Sequence, residues 1–253
     1  MKILRTTLWV MLVALLIPNL GFTQDTRQSY TVHLDHVKPS MIAEYERISK
    51  ELIAQSKKHN SNFGWLTLVT DEFDYFYVSP IKNMAQLDGN PFAGLAEKMG
   101  AAEMGKIFSE MDKCYDDHIN YVITLDKELS YMPNGITQTP EGQPFRKNTL
   151  YYVAPQNYAA AEQLAKDFKA LYTKKGSKVN YRIYRSGYGS DGTYFMVAIA
   201  AKDAMEYERM DAENAQLLGA EGQQLAGRLL SLISKTKTIT GAIRADLSYM
   251  PSN

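Results

Sequence analysis

The chain has 253 residues, with 28 basic and 28 acidic side chains, so it carries no net charge at pH 7. A nucleic acid or an anionic membrane requires a basic surface, so this composition argues against both as partners. The single cysteine, Cys114, excludes an internal disulfide, and a packed core must therefore hold the fold.

Residues 1–23 have the pattern of an export signal. Lys2 and Arg5 precede an unbroken apolar run at 8–17, which is too short to cross a bilayer as a helix. Small residues at positions 21 and 23 favour cleavage before Gln24. We therefore predict a signal peptide at 1–23 and a mature protein that is periplasmic or secreted, without membrane attachment.

A hexapeptide is repeated in the chain. ELSYMP at 128–133 returns as DLSYMP at 246–251, and residues 37–65 align without a gap with 153–181. These matches predict that one unit of about 105 residues, which is the size of a small domain, is used twice. The predicted organisation is a first repeat at 29–133, a Gly- and Pro-rich linker at 134–148, and a second repeat at 149–253.

Each unit is predicted to contain four strands and two helices. In the first unit a β-rich segment precedes a helix that Pro39 opens, and two strands, a long helix and a last strand follow. The hexapeptide is predicted to be that last strand, ended by proline. The predicted strands after the first helix are 63–70 and 73–79 in the first unit and 179–186 and 193–200 in the second, and the long helices are 91–122 and 205–242. The order βαββαβ is the ferredoxin-like motif.

Alternation along the strands separates two faces of the predicted sheet. We expect the aliphatic and Phe face to lie under the helices; it carries Val32, Leu34, Phe76, Val78, Phe195, Val197 and Ile199. The other face is Tyr-rich and also carries His33, Asp35, Arg182 and Met196. Because this second face is not charged like a solvated one, we expect it to pack against the sheet of the other unit.

The element order, the repeat and the E/D-L-S-Y-M-P segment resemble the dimeric α+β barrel superfamily. That group includes antibiotic-biosynthesis monooxygenases, EthD-like and NIPSNAP-like proteins, and haem proteins of the chlorite-dismutase type. The resemblance covers residues 30–251 and implies a barrel with an internal cavity, but no single chemistry. The predicted fold class is α+β, with tandem ferredoxin-like repeats packing as one barrel-like body, and a homodimer is a further possibility.

Three groups of residues are candidates for chemistry. His33 and Asp35 share a strand face, and this pair could perform acid–base catalysis or be an ordinary polar pair near a barrel mouth. Arg182 lies in mid-strand and needs a carboxylate if buried, either that of Asp35 or that of a ligand. Cys114 and His118 have a metal-binding spacing if they lie on a helix. The repeat aligns Cys114 with an apolar position, however, so we predict a buried thiol, a surface His118 and no metal site.

No cofactor is predicted from the sequence. The superfamily resemblance admits haem, but haem requires an axial ligand, and none of the four histidines stands out as one.

Three functions remain open. The first expectation is an exported non-enzymatic protein that binds a small, partly aromatic or apolar ligand in a Tyr-lined barrel cavity, because no acid–base group recurs in the second unit. The second is a cofactor-independent oxygenase or isomerase with His33 and Asp35 as catalytic residues, and the third is a structural interaction module without a cavity. The predicted ligand-binding residues are Tyr75, Tyr77, Tyr151, Arg182, Tyr184 and Tyr194. Trp65 is predicted to be buried under the helices.

Overall fold

The computed structural model describes residues 26–251. The predicted signal peptide and its cleavage site lie outside these residues. Within the described chain, no helix is both long enough and apolar enough to cross a membrane.

Residues 26–251 form eight strands and five α-helices. The strands are β1 (Arg27–Val37), β2 (Leu66–Thr70), β3 (Asp74–Ile81), β4 (Tyr115–Tyr131), β5 (Phe145–Val153), β6 (Tyr181–Ser186), β7 (Tyr194–Ala201) and β8 (Ile233–Ile243). The helices are α1 (Ile42–Lys58), α2 (Ala93–Met99), α3 (Ala101–Met111), α4 (Tyr158–Lys175) and α5 (Ala204–Leu232).

All eight strands pair into one closed antiparallel barrel in the order β1-β3-β2-β8-β5-β7-β6-β4. The first half contributes β4-β1-β3-β2 and the second half β8-β5-β7-β6, both in the strand order of a ferredoxin-like sheet. The halves are hydrogen-bonded at two seams, β2 with β8 and β4 with β6. The predicted fold, two ferredoxin-like units in one α+β barrel body, is therefore confirmed.

The wall of the barrel is buried on both sides. Apolar side chains fill the interior, and they come from both halves; the cluster includes Val32, Leu34, Leu68, Phe76, Ile123, Leu125, Leu150, Tyr152, Tyr184, Tyr194 and Met196. A second cluster lies between the first half of the wall and its helices and contains Tyr45, Trp65 and Tyr75. A third cluster lies under α4 and contains Ala161, Tyr181 and Phe195.

This arrangement corrects the predicted faces. In the first half Val32, Leu34 and Phe76 point into the barrel, while Tyr75 and Tyr77 lie under the helices, so the assignment is reversed there. In the second half it is correct for Phe195, Val197 and Ile199 under the helices and for Tyr184, Tyr194 and Met196 inside. Both sides of a closed barrel wall are apolar, so residue type alone does not distinguish them.

The long second helix of each unit ends earlier than predicted. In the first half the chain is helical only to Met111, and β4 begins at Tyr115, so residues 115–122 are strand. In the second half α5 ends at Leu232 and β8 occupies all of 233–242. These strand segments are largely exposed, and the apolar spacing used for the prediction therefore carries no signal of their pairing.

The repeated hexapeptide has a role that the sequence did not reveal. ELSY closes β4 after a register shift, and Tyr131 pairs with Tyr181 of the other half. The Tyr131 hydroxyl donates to the carbonyl of Ser177 at 3.0 Å. The Ser130 hydroxyl donates to the carbonyl of Asp126 and accepts from the backbone N–H of Ile183 at 2.9 Å.

DLSYMP makes the same contacts in the opposite direction. It is a short 3₁₀ turn at 245–247 followed by a bridge from Tyr249 to Trp65, so its prediction as a strand is wrong. The Tyr249 hydroxyl donates to the carbonyl of Ser61 at 2.9 Å, and the Ser248 hydroxyl accepts from the N–H of Thr67, also at 2.9 Å. Each hexapeptide, called a clasp below, therefore binds its own half to the other.

The predicted linker crosses one end of the barrel. Ile136 packs against the interior cluster, and Gln138 hydrogen-bonds with the hydroxyls of Tyr30 and Tyr184. The last residues of the predicted 134–148 segment belong to β5, which begins at Phe145. The division into two repeats with a linker between them stays a prediction.

Candidate active site

A cavity of about 690 Å³ lies outside the barrel, between the first half of the wall and the helices that cover it. This position differs from the predicted barrel interior, which the apolar cluster fills. The cavity has one polar wall, formed by side chains of β1, β3 and β4 that point away from the barrel axis. The polar wall contains Thr31, His33, Asp35, Tyr77, Ser79 and Asn120.

His33 and Asp35 form a close pair in this wall. They are two residues apart on β1 and therefore lie on the same side of the strand. Nε2 of His33 is 2.9 Å from Oδ1 of Asp35, although the contact is off the line that a hydrogen bond requires. Asp35 is buried at 1% exposure, and its Oδ1 has no hydrogen-bond donor among the described residues. The pair thus places a carboxylate oxygen and an imidazole nitrogen at the cavity.

Two tyrosines hold the other oxygen of the carboxylate. The hydroxyl of Tyr45, on α1, donates to Oδ2 of Asp35, and the hydroxyl of Tyr77 donates to that of Tyr45 at 2.8 Å. Burial is the main cause that raises the pKa of both phenols well above the usual value. They therefore stay protonated and act as donors at neutral pH. These two linked hydrogen bonds fix the orientation of the Asp35 carboxylate.

The surroundings of His33 suit a proton acceptor. Its Nδ1 lies 2.8 Å from Oδ1 of Asn120, on the neighbouring strand β4. In the tautomer in which Nδ1 donates to this oxygen, Nε2 carries the lone pair of the neutral ring. Burial alone lowers the pKa of His33, but the carboxylate of Asp35 and the oxygen of Asn120 outweigh it and raise the pKa above 6.5. A proton that arrives at Nε2 is therefore stabilised by the adjacent carboxylate.

Most of the remaining lining is apolar or aromatic. Trp65 is buried at 3% exposure, as predicted for a position under the helices, and its indole N–H donates to the carbonyl of Leu247 at 3.0 Å. Phe92 packs edge-to-face against Trp65, with 5.9 Å between ring centroids, and Phe108 packs on Phe92. A wall of this kind suits a flat apolar ligand, and the volume is within the usual range of small-molecule sites.

The Cys114–His118 pair does not form a site. Cys114 is fully buried just before β4, which confirms the predicted core thiol, and exposed His118 lies on the strand rather than on a helix. His118 instead packs beside His33, with 5.2 Å between the ring centroids. One ligand atom each of His33, Asp35 and His118 lies within 4.8 Å of the others, so these three residues, rather than Cys114 and His118, are the group that could hold a metal ion.

Haem does not fit the residues around this cavity. Oδ1 of Asp35 is only 2.9 Å from Nε2 of His33, so a porphyrin whose iron was bound to Nε2 would collide with Asp35. A proton on Nε2 meets no such steric conflict. A second cavity, of about 200 Å³, lies under α4 and has no His, Cys or Met in its walls. His33 is therefore obstructed as an axial ligand in the large cavity, and the small cavity offers no His, Cys or Met for that position.

The structure distributes the predicted ligand-binding residues over four places. Tyr77 lies in the wall of the large cavity and Tyr151 in that of the small one. Tyr75 lies under the first helix, where its hydroxyl donates to Glu46 at 3.1 Å. Tyr184 and Tyr194, with Arg182 on the same side of β6 as Tyr184, point into the barrel. They do not form one Tyr-lined surface.

The sequence analysis missed three residues of the site. Tyr45 lies in the first predicted helix, where no chemical role was assigned to it, and both Phe92 and Asn120 lie in the segment 91–122 that was predicted as helical. The alignment of strand β4 with β1 would have been needed to place Asn120 beside His33, and no sequence signal gives that register.

Comparisons with solved structures identify the fold. A protein described as anthrone oxidase-like has a TM-score of 0.58 at 10% identity, covering 87% of this chain and 92% of that one. A candidate monooxygenase from Lactobacillus acidophilus NCFM has a TM-score of 0.52 at 12% identity, covering 87% and 94%. A variant chlorite dismutase from Candidatus Nitrospira defluvii has a TM-score of 0.50 at 12% identity, covering 87% and 92%. No family model and no curated protein matches the sequence.

The names of these neighbours contradict the first functional expectation. They denote oxidases, monooxygenases and a dismutase, so a barrel with no enzymatic activity is the wrong starting point. At identities near 10% the likeness establishes the fold alone. The chain has the dimeric α+β barrel fold.

Proposed function

We propose that this protein is a cofactor-independent oxygenase that acts on an apolar aromatic substrate in the large cavity. The observation that carries the proposal is the His33–Asp35 pair, with 2.9 Å between Nε2 and Oδ1, in the wall of a cavity with Trp65 and Phe92 opposite. The oxidase and monooxygenase names of the structural neighbours support the same class of reaction.

The pair would begin the reaction by removing a proton from carbon. Nε2 of His33 accepts the proton of a methylene that is acidified by adjacent rings or a carbonyl, and Asp35 stabilises the imidazolium. The aromatic walls of the cavity would limit the access of water to the carbanion. Asn120 holds the ring by Nδ1 throughout.

The electrons then pass from the substrate to dioxygen. The carbanion gives two electrons to O₂, a C–O bond forms, and the peroxide takes the proton back from His33. Loss of water from this hydroperoxide breaks the O–O bond and removes the second methylene hydrogen as a proton. The balance is R₂CH₂ + O₂ → R₂C=O + H₂O, so no external reductant is needed.

Oxygen consumption tests this proposal, with anthrone as the probe substrate. We expect the intact purified protein to consume one O₂ per anthrone, and His33→Ala to lower kcat/KM by about 10²–10⁴-fold. His36→Ala is the matched control, because His36 is on the same strand but pairs with Asp74 and lies outside the cavity. EDTA should leave the rate unchanged.

Three results would contradict this function. Equal rates for the wild type and His33→Ala would remove the catalytic pair, and loss of activity with EDTA would show a metal reaction. Exchange of substrate protons with solvent in the absence of O₂ consumption would favour an isomerase that uses the same residues.

We also propose, from residues 1–23 alone, that the protein works outside the cytoplasm.

A further inference from the structure

Two arginines are buried side by side at the end of the barrel that the linker crosses. Arg146 on β5 and Arg182 on β6 are 4% and 3% exposed. Both lie on the side of their strand that faces the barrel interior, the same side as Leu150 on β5 and Tyr184 on β6. Neither forms a salt bridge with a carboxylate of the described chain.

Only backbone carbonyls bind these guanidinium groups. Arg146 donates to the carbonyls of Gln138, Gln143 and Phe145, at 2.7, 2.5 and 2.8 Å. Arg182 donates to the carbonyls of Thr137 and Gln138, at 2.6 and 3.1 Å, so the two cations share one acceptor.

Half of the donors are left over. Each guanidinium has five N–H donors, and the contacts above use three of Arg146 and two of Arg182. Nε of Arg182 is buried without any partner. A buried donor without an acceptor costs stability, and two adjacent buried cations without an anion cost more.

The electrostatics of the pair lack a negative charge. Burial and, to a lesser extent, the positive charge of Arg182 together lower the pKa of Arg146 to about 10, whereas only the Tyr184 hydroxyl acts in the other direction. Asp35, the carboxylate expected from the sequence for Arg182, lies on the opposite side of the barrel wall at the active-site cavity. The counter-charge for Arg182 therefore does not come from Asp35.

A further cavity gives access to Arg146 from the protein surface. A cavity of about 480 Å³ has Arg146 in its wall and shares no lining residue with the active-site cavity. Most of its remaining wall is apolar, and includes Leu66, Pro140, Pro144, Ile243 and Met250. A cationic end and apolar sides match an anion that is attached to an apolar body, more closely than they match a bare inorganic ion.

We propose that this cavity binds an organic carboxylate. Its carboxylate group accepts hydrogen bonds from the free donors of Arg146 and is attracted by the charge of Arg182 behind it. Its apolar body lies against Leu66 and Ile243, at the β2–β8 seam. The site is separate from the proposed oxygenase reaction and does not depend on it.

Benzoate and benzamide test the proposal, because they have nearly the same shape and differ in charge. Isothermal titration calorimetry of the intact purified protein should show benzoate binding at least tenfold more tightly than benzamide. Arg146→Gln should lose at least tenfold in benzoate affinity, because it removes the charged partner of a largely desolvated contact. Arg146→Lys, which keeps the charge, should lose less, and Arg228→Gln on the exposed side of α5 should bind like the wild type.

Three results would overturn the proposal. Equal affinities for benzoate and benzamide would show that charge is not recognised. Equal benzoate affinity in Arg146→Gln and the wild type, with both proteins folded by circular dichroism, would place binding elsewhere. Inorganic phosphate that binds more tightly than benzoate would show an anion site without the apolar component.

Discussion

His33 shows how a single strand can assemble a candidate catalytic pair. Its ring is bounded by Asp35 on the same strand and by Asn120 on the neighbouring one, so both ring nitrogens have an oxygen within 2.9 Å. The sequence identified His33 and Asp35 because period-two spacing depends only on local geometry. It could not identify Asn120, because strand register is a property of the folded barrel.

The pH dependence of activity tests this pair. His33 must be neutral to accept a proton, and its pKa is raised by Asp35, so kcat/KM should rise with pH through a value above 6.5. Asp35→Asn removes the charge that raises the pKa, and the acidic limb should therefore move to lower pH while the plateau falls. The measurement is kcat/KM from pH 5 to 9, with His36→Ala as control. An unshifted limb in Asp35→Asn would exclude the pair as the titrating unit.

Trp65 reports on the cavity directly. The sequence places it under the helices, and the structure adds that the large cavity is on the same side, so a bound aromatic substrate should quench its emission. Trp65 is the one tryptophan after the predicted cleavage site. Ligand-free emission should be blue-shifted, and Trp65→Ala should cost about 3–5 kcal/mol of stability, because it opens a hole in the core. Binding without quenching would place the ligand elsewhere.

At the scale of elements, the errors of sequence interpretation have one physical origin. The first helix of the first unit begins close to its predicted start at Pro39, because proline at a first turn is a local signal. The strands of the barrel are buried on both faces, and their apolar pattern therefore does not say which face meets the helices. The cavity was expected inside the barrel for the same reason.

The two clasps should contribute equally to stability. Ser130→Ala and Ser248→Ala each leave the backbone N–H of the opposite half, at Ile183 or Thr67, without its acceptor. We expect each change to cost about 1–3 kcal/mol in urea denaturation. Ser109→Ala is the control, since the Ser109 hydroxyl is exposed and bonds only within its own helix. A clasp variant as stable as the control would mean that these contacts are not made in solution.

The β2–β8 seam depends on a glycine. A Cβ at Gly241 would lie 2.3 Å from the carbonyl oxygen of Val69, so the backbones must separate to admit it. Gly241→Ala should cost about 1–3 kcal/mol through this overlap. Gly227→Ala, in the middle of α5 with open space at its Cβ, should instead stabilise by about 0.5–1 kcal/mol. Thermal unfolding of both variants gives the comparison, and equal shifts would contradict the seam geometry.

The whole molecule is one body because its halves share a barrel and two seams. The sequence predicted the union of the halves from the need to cover a second sheet face, and this part of the prediction did not require the faces to be assigned correctly. It did not predict that strands of different halves would be hydrogen-bonded side by side.

Cleavage of the connection between the halves should therefore leave them together. A protease site inserted at Gly142, which is exposed, separates the chain without touching either seam. The cut protein should elute from a sizing column at the volume of the intact chain, and urea should separate the fragments only as it unfolds them. Two folded fragments that elute separately in buffer would contradict a shared barrel.

The reciprocal clasps also determine when the protein can finish folding. The core around Trp65 includes Leu247 and Tyr249, which follow β8, the last strand of the second half. Leu247 also lines the large cavity. The first half can therefore complete its core and its cavity only once the whole second half has been made. The order of the residues along the chain thus makes the first half, which contains the candidate active site, dependent on the second for its final structure.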